Sequence, residues 1–184
     1  MTQDALKLFN HSVLIVEDDP DIREVLANLV MDLTLEVYEA KNGLEAKNFL
    51  KTKHIDLIIT DIKMPELDGL TLLEDMRKAN QSAVAIVITG YGSREDVKRA
   101  LIAGCYDFID KPFQNDIVVN RIKLALENIS LRKLENQAIS LLFKYFHRDV
   151  KKIETLKNPE RIQALDSLLI QLNARIEREA ASRS

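Results

Sequence analysis

The sequence predicts an α/β fold: a doubly wound, five-stranded parallel sheet followed by an α-helical hairpin extension. Three observations lead to this prediction. Five short apolar runs alternate with stretches that carry apolar residues at helical spacing, which is the order of repeated βα units. Four of the runs end in carboxylate, hydroxyl or ammonium side chains. After Pro112 the alternation stops and a long stretch without Gly or Pro begins.

The predicted strands are short, and the third is almost continuously apolar, as expected for a strand covered on both faces. Because parallel strands point the same way, the polar residues that follow them converge on one edge of the sheet. Ligands bind at that edge in open α/β sheets. The five predicted strands are Ser12–Val16, Leu35–Ala40, Ile55–Thr60, Ala83–Thr89 and Asp107–Asp110.

The four helices between these strands are predicted from apolar spacing and from capping residues. Asp19 and Ser93 precede two of them, where a short polar side chain accepts hydrogen bonds from the first free amides. Pro20 suits a first helical turn. Asn42-Gly43 predicts a turn, and Asp68-Gly69 predicts part of a loop. The four helices are expected to end near Asp32, Thr52, Ala79 and Gly104.

The tail is predicted to be helical, because residues 114–156 contain neither Gly nor Pro. One helix of about 43 residues would be about 65 Å long, although a break near Asn128–Ser130 remains open. Asn158-Pro159 begins a second helix that ends near Ala180. Wide apolar stripes on a hairpin need a cover, so we expect a homodimer through a coiled coil or bundle. The most regular stripe has a seven-residue repeat: Ile117, Leu124, Leu131, Ala138 and Tyr145.

Composition and charge limit the function classes. The chain has 184 residues, of which 46% are hydrophobic and 30% charged, so a packed core is expected. Residues 1–127 carry a formal charge of −7 and residues 128–184 carry +4. The basic residues of the tail are scattered, which disfavours a nucleic-acid partner. No run approaches the ~20 apolar residues of a membrane helix, and no signal peptide is recognised. We therefore expect a cytoplasmic protein with no membrane contact.

Four segments resemble the receiver domains of response regulators. The resemblance covers about Ser12 to Ala125 and implies the flavodoxin-like strand order 2-1-3-4-5. It also implies a receiver domain at residues 1–127. The family match ends there, and the apolar stripes of the tail lead us to expect a dimerisation and output extension at residues 128–184. The segments, each at a strand end and in the order of the family, are Val13–Asp19, Asp61–Gly69, Ile88–Gly90 and Gly104–Phe113.

The resemblance implies that Asp61 is a phospho-acceptor. A carboxylate attacks an anionic phosphoryl group only where charge is neutralised and the geometry is held in line. Glu17, Asp18 and Asp61 carry −3, and one Mg²⁺ with the ammonium of Lys111 brings the sum to zero. Mg²⁺ prefers oxygen ligands and takes few carboxylates. Lys111 would hold a phosphoryl oxygen as a point charge.

In the family, Asp18, Asp61 and the Lys63 backbone carbonyl would contact the metal directly. Glu17 would act through water, and Asp19 would flank the site. Thr89 would offer its hydroxyl to the phosphoryl group. A histidine kinase or a phosphotransfer protein is the implied donor.

The resemblance also implies a switch that controls a downstream protein. Thr89 would move toward the phosphoryl group and Phe108 would turn inward. This would reshape a face made by Ser93–Ile102, Asp107–Asp110 and the helix from Gln114 onward. The family has a cis bond at Lys111-Pro112. Tyr91 and Lys63 match positions that modulate phosphoryl lifetime in the family.

Three alternatives remain open. His147 could belong to a phosphotransfer-like helical bundle fused to the receiver. A degenerate receiver could act as a dimeric adaptor. A phosphatase with an Asp nucleophile is disfavoured, because it would usually carry an acidic residue where this chain has Lys63. We expect a signalling switch with self-phosphorylation and autodephosphorylation chemistry, and not a dedicated enzyme.

Overall fold

A computed structural model describes residues 9–90, 93–145, 167 and 170. The chain divides into two compact units, Met1–Ile129 and Ser130–Ser184. The first unit contains a five-stranded sheet, and every adjacent strand pair is parallel. Its strand order is β2-β1-β3-β4-β5, which confirms the predicted α/β fold and strand order.

Strands and helices alternate through the first unit. The strands are β1 Phe9–Val16, β2 Thr34–Ala40, β3 Leu57–Thr60, β4 Val84–Thr89 and β5 Asp107–Asp110. The helices are α1 Pro20–Met31, α2 Gly43–Thr52, α3 Gly69–Lys78, α4 Arg94–Ala103 and α5 Asn115–Tyr145.

Two strands begin two or more residues from the predicted start, and β2 and β4 each begin one residue from it. β1 begins three residues earlier than Ser12, with a bulge between Phe9 and Ser12, and the Phe9 amide donates to the Leu33 carbonyl at 2.8 Å. β3 begins two residues later than Ile55. Asp56 and Ser12 exchange two hydrogen bonds. The Asp56 amide donates to the Ser12 carbonyl at 2.9 Å. The Ser12 amide in turn donates to the Asp56 carboxylate at 3.1 Å.

The sheet separates two layers of core. Alternate residues of β1 point to opposite faces, so Val13 and Ile15 join one layer while Leu14 and Val16 join the other. The first layer packs against α1 and α5, and the second packs against α2, α3 and α4. The central strands are therefore covered on both sides, which explains their continuous apolar sequence.

Polar side chains cap four of the helices. Asp19 caps α1 and Ser93 caps α4, as predicted. The predicted turn at Asn42-Gly43 and the predicted loop at Asp68-Gly69 are in fact helix starts, because Asn42 caps α2 and Asp68 caps α3. Their side chains accept from the amides of Glu45 and Thr71, both at 2.8 Å. These caps set where the loops before α1, α2, α3 and α4 end.

Helix α5 runs without a break from Asn115 to Tyr145, so the alternative break near Asn128–Ser130 is wrong. Within the first unit, Val118, Ile122 and Ile129 are buried in the core layer. The predicted return helix of the hairpin lies outside the described residues, apart from residues 167 and 170, which are helical. Among the helices described, none combines the length and the hydrophobicity needed to span a bilayer.

Gly69 is required by the close approach of α3 to β3. A Cβ at this position would lie 1.9 Å from the Asp61 carbonyl oxygen and 2.8 Å from the Thr60 hydroxyl. We expect Gly69→Ala to lower the free energy of unfolding by about 1–3 kcal/mol, the usual cost of overpacking. The helix propensity gained by Ala is at most about 1 kcal/mol, so the clash decides the sign. Urea denaturation measures the effect.

Gly90→Ala is the matched control, because among the described residues its added methyl would meet Lys111 alone, at 3.5 Å from Cβ and 4.0 Å from the carbonyl oxygen, and both are ordinary contacts. A Gly69→Ala protein as stable as the wild type would contradict this account of the loop.

Candidate functional site

The parallel register brings the polar ends of the strands to one edge of the sheet. Val16 pairs with Thr60, and Thr60 pairs with Val87. The residues that follow are fixed by continuing backbone hydrogen bonds: the Glu17 amide donates to the Ala40 carbonyl at 3.1 Å, and the Asp61 amide donates to the Val16 carbonyl at 3.0 Å. The side chains of Glu17 and Asp61 therefore leave the sheet as neighbours.

Three carboxylates form the acidic cluster: Glu17, Asp18 and Asp61. One oxygen from each lies within 4.8 Å of the others. Glu17 is 1% exposed, the Asp61 side chain is 12% exposed, and Asp18 is exposed. Like charges this close repel strongly, so the cluster needs a counter-charge.

Lys111 supplies a counter-charge from the end of β5. Its ammonium donates to Glu17 Oε2 at 2.7 Å and to Asp61 Oδ2 at 2.7 Å. The Lys111 amide donates to the Thr89 carbonyl at 2.9 Å, which fixes the backbone beside the cluster. The Lys111-Pro112 peptide bond is cis, as the resemblance implied.

The other oxygen of Asp61 is held by the backbone of its own loop. Oδ1 accepts from the Ile62 amide and, at 3.4 Å, from the Lys63 amide. The carboxylate therefore has one oxygen on backbone donors and one on the ammonium of Lys111. Charge-assisted bonds of this kind fix the orientation of a carboxylate.

The pKa values of Glu17 and Lys111 are both shifted in this site. Burial raises the pKa of Glu17 above its ordinary 4.5, and the nearby Asp61 adds to the rise, while the hydrogen bond from Lys111 opposes it. Burial alone would lower the pKa of Lys111, but the hydrogen bonds to Asp61 and Glu17 outweigh burial and raise it above 10.5. Lys111 therefore stays protonated at neutral pH.

The donor set fits a hard divalent cation. All three residues of the cluster offer carboxylate oxygens, and Mg²⁺ or Ca²⁺ prefers such ligands over nitrogen or sulfur. With Lys111 included, the cluster carries a net charge of −2, which one divalent cation would neutralise. Lys63 and Asp19 line the same cleft.

The remaining predicted residues lie around this cluster or outside the described chain. Thr89 is 1% exposed at the end of β4, where it pairs with Asp110 of β5. Phe108 is half-buried and packs against the core layer under α2, α3 and α4. Tyr91 and His147 lie outside the described residues.

Sequence reasoning missed the wall of the cleft that α1 provides. The cleft has a volume of about 840 Å³, and Ile22, Val25 and Phe113 line it beside the carboxylates. The helical spacing of Ile22 and Val25 suggested core positions only, yet Val25 is 41% exposed. Sequence reasoning also missed Arg23, whose guanidinium contacts the backbone of the acidic loop. Its position one turn after the Asp19 cap was the available signal.

Comparison with known proteins decides the family. The family profile described as "Response regulator receiver domain" matches residues 13–123. The chain belongs to this family. It is a response regulator receiver of two-component systems joined to a C-terminal helix, and the match covers the acidic cluster, Lys111, Thr89 and Phe108.

Individual relatives agree with the family. The chain is 37% identical to the chemotaxis protein CheY of Bacillus subtilis over 117 residues, which are 63% of this chain and 98% of CheY. A CheY-like receiver domain from Methanospirillum hungatei has a similar structure, with a TM-score of 0.64 and 28% identity, over 67% of this chain and 98% of that one.

A longer relative matches the helical tail as well. The nitrogen assimilation regulatory protein NtrX of Azorhizobium caulinodans is 31% identical over 179 residues, which are 95% of this chain but 36% of NtrX. The chain thus spans about a third of that relative. The expectation that nucleic acid is not a partner is not supported, because the charge of this tail says nothing about the other two-thirds of such a regulator.

Removal of the Glu17 charge should stabilise the metal-free protein. Because the pKa of Glu17 is raised on folding, the folded state holds the proton more tightly than the unfolded state. Stability is therefore lost as the pH rises from 4.5 through the folded pKa, and the cost is complete above it. With a chelator at neutral pH, we expect Glu17→Gln to raise the free energy of unfolding by about 1 kcal/mol.

The gain should shrink below pH 4.5, where wild-type Glu17 is itself protonated. Glu36→Gln is the control, because Glu36 is an exposed carboxylate on β2. A gain that is equal at both pH values would show that burial of the charge is not its cause.

Proposed function

We propose that this receiver accepts a phosphoryl group on Asp61 from a histidine kinase or a phosphotransfer protein, with Mg²⁺ as cofactor. The observation that carries the proposal is the sharing of Lys111 between Asp61 and Glu17, at 2.7 Å each. This arrangement keeps a carboxylate oriented and next to a cation at an open cleft. An in-line attack on a phosphoryl group requires these conditions.

The residues of the site have separate tasks in the transfer. A carboxylate oxygen of Asp61 forms the new bond to phosphorus as the bond between phosphorus and the donor atom breaks. The ammonium of Lys111 would donate to the oxygens of the transferred phosphoryl group, because it already lies 2.7 Å from Asp61 Oδ2. The backbone amides of Ile62 and Lys63 hold the other side of the carboxylate.

Asp18, Asp61 and the Lys63 carbonyl would hold the Mg²⁺, with Glu17 acting through water. The cation would neutralise charge on the phosphoryl oxygens when bound. Glu17 is nearly fully buried and bonded to Lys111, which suits a residue that orients its neighbours. Asp18 is exposed at the mouth of the cluster, which suits a direct ligand.

The shape of the cleft supports a protein donor. Ile22, Val25 and Phe113 form an apolar wall beside the acidic cluster. Full burial of an exposed Val side chain contributes about 1.5–3 kcal/mol, and Val25 is 41% exposed. Covering Val25 would therefore add roughly 1 kcal/mol of affinity, which a small phosphodonor would not obtain. Donor recognition and transfer would then occur on one continuous surface.

The switch would act on the face made by α4, β5 and α5. Phosphorylation adds charge and acceptor oxygens, to which Thr89 and then Phe108 would respond by shifting a pre-existing equilibrium. Several apolar side chains on this face are already exposed, as an output surface requires. They are Leu101 at 63%, Ile102 at 60%, Tyr106 at 40% and Ile117 at 45%.

Self-association through α5 and the tail would complete the regulator. Ile117 and Leu124 of the first unit are 45% and 53% exposed, and Leu131 of the second unit is 65% exposed. Their seven-residue spacing is the repeat of a coiled-coil seam. We propose a homodimer in which two α5 helices pair along these positions and pass the state of the receiver to a downstream protein.

Phosphorylation is tested by incubation with an acyl phosphate and Mg²⁺, followed by intact mass measurement. The wild type should gain the mass of one phosphoryl group, and the gain should disappear with a chelator. Asp61→Asn should remain unlabelled, because an amide is not a nucleophile for this transfer. Asp110→Asn, at the exposed end of the neighbouring strand β5, is the matched control and should be labelled normally.

The same experiment separates the alternatives. A phosphatase would release phosphate continuously without a lasting adduct, and a degenerate adaptor would show neither reaction. Labelling of Asp61→Asn at the wild-type level would remove the assignment of Asp61.

Dimerisation is tested by light scattering at tens of micromolar protein. We expect a dimer for the wild type. Leu124→Glu should raise the dissociation constant of the dimer at least tenfold, because loss of one Leu contact costs more than about 1.4 kcal/mol, the free energy of a tenfold change. Gln137→Glu places the same charge at an exposed position of α5 that lies about 140° around the helix from Leu124, and it should change little. A monomeric wild type, with and without a phosphate mimic, would refute the dimer.

A further inference from the structure

The guanidinium of Arg23 contacts backbone atoms of the loop that carries Glu17 and Asp18. Arg23 lies on α1 and is largely buried, with 21% of its side chain exposed. Its Nη1 donates to the Glu17 carbonyl oxygen at 2.7 Å and, more weakly, to the Asp18 carbonyl oxygen at 3.5 Å. Its Nε lies 3.4 Å from Glu39 Oε2 on β2. The guanidinium therefore connects α1, the end of β2 and the loop between β1 and α1.

The loop needs this support because it leaves the sheet at this point. The Glu17 amide still bonds to the Ala40 carbonyl of β2, but β1 ends at Val16 and α1 begins at Pro20. The carbonyls of Glu17 and Asp18 fall between the two elements. A largely buried carbonyl without a donor is costly, and the planar fork of an arginine can serve two carbonyls and a carboxylate together.

The two residues held in this way supply two of the three carboxylates of the cluster. Fixing a carbonyl fixes the peptide plane, and with it the direction in which the adjoining side chain leaves the backbone. The Asp19 side chain holds the next residue of the loop, because it accepts from the amides of Asp21 and Ile22 at 2.9 and 3.3 Å. Arg23 and Asp19 together leave the loop little freedom.

We propose that Arg23 is a positioning residue for the cation site, one that sets its fit for a small cation through the backbone of Glu17 and Asp18. The inference rests on the proposed function, in which this cluster binds Mg²⁺. Arg23 itself offers no ligand atom. Its effect is to keep the carboxylates close enough, and rigid enough, for a cation that demands short and regular bonds.

Mg²⁺ and Ca²⁺ differ in the coordination geometry that they require. Mg²⁺ needs near-octahedral geometry at 2.0–2.1 Å, whereas Ca²⁺ accepts irregular geometry at 2.3–2.6 Å. A looser loop should therefore weaken Mg²⁺ binding more than Ca²⁺ binding. A simple loss of positive charge near the site would change the affinity for both divalent cations in the same direction and to a similar extent.

The test measures the dissociation constants of Mg²⁺ and Ca²⁺ by titration calorimetry on the full chain. The variants are Arg23→Lys, which keeps the charge but loses the fork, and Arg23→Ala. We expect both to raise the Mg²⁺ dissociation constant about tenfold, the scale for residues that orient metal ligands. The Ca²⁺ constant should rise by about threefold or less, because Ca²⁺ tolerates irregular geometry.

Arg77→Ala is the matched control. Arg77 also donates from a guanidinium to a backbone carbonyl, that of Ile102, but it does not line the cleft of the acidic cluster. This variant should bind both cations like the wild type. Thermal melts without metal test whether each variant is folded. If Arg23→Ala is unfolded, the dissociation constants of Arg23→Lys decide the test.

Each outcome bears on the proposal. An increased preference for Ca²⁺ over Mg²⁺ in Arg23→Lys supports positioning through the backbone. Wild-type affinity in Arg23→Lys, or equal losses for both cations, would overturn it and leave the proposed function intact. A wild type that binds neither cation would overturn both.

Discussion

The site depends on the attraction between one ammonium and two carboxylates. Glu17, Asp18 and Asp61 lie close enough to repel one another, and Lys111 bonds to two of them at 2.7 Å. This attraction raises the pKa of Lys111 and opposes the rise that burial gives to the pKa of Glu17. The residual negative charge suits the divalent cation that we propose for this site.

The surrounding fold holds the three carboxylates and Lys111 in these positions. The loops that carry Glu17 and Asp61 are each fixed at both ends, by a backbone hydrogen bond to a neighbouring strand where the loop begins and by a capping side chain where it ends. Asp19 and Asp68 provide the caps on either side of the cluster, Gly69 allows α3 to approach Asp61, and Arg23 holds the carbonyls of the first loop. Small displacements of any of these would reach the carboxylates directly.

The sequence allowed the sheet and most of the cluster to be predicted, because both depend on residue types at fixed places along apolar runs. Asp61 and Lys111 follow strands, and parallel strands must end together. The contacts of Arg23 were not predictable in this way, since they depend on the rotation of α1 against β2. Asn42-Gly43 and Asp68-Gly69 were misinterpreted because the same residues favour turns and helix N-termini, and the choice depends on packing.

The bonds of Lys111 join residues that are far apart in the chain. Ninety-four positions separate Lys111 from Glu17, and 50 separate it from Asp61. Such contacts form only after most of the polypeptide is in place, because long loops must close first. A ribosome-bound chain in which β5 has not yet been made has no Lys111 ammonium beside Asp61. If Lys111 is needed for the phosphoryl transfer that we propose, a partly synthesised chain would not be phosphorylated. Only the completely synthesised receiver domain would then respond to the signal.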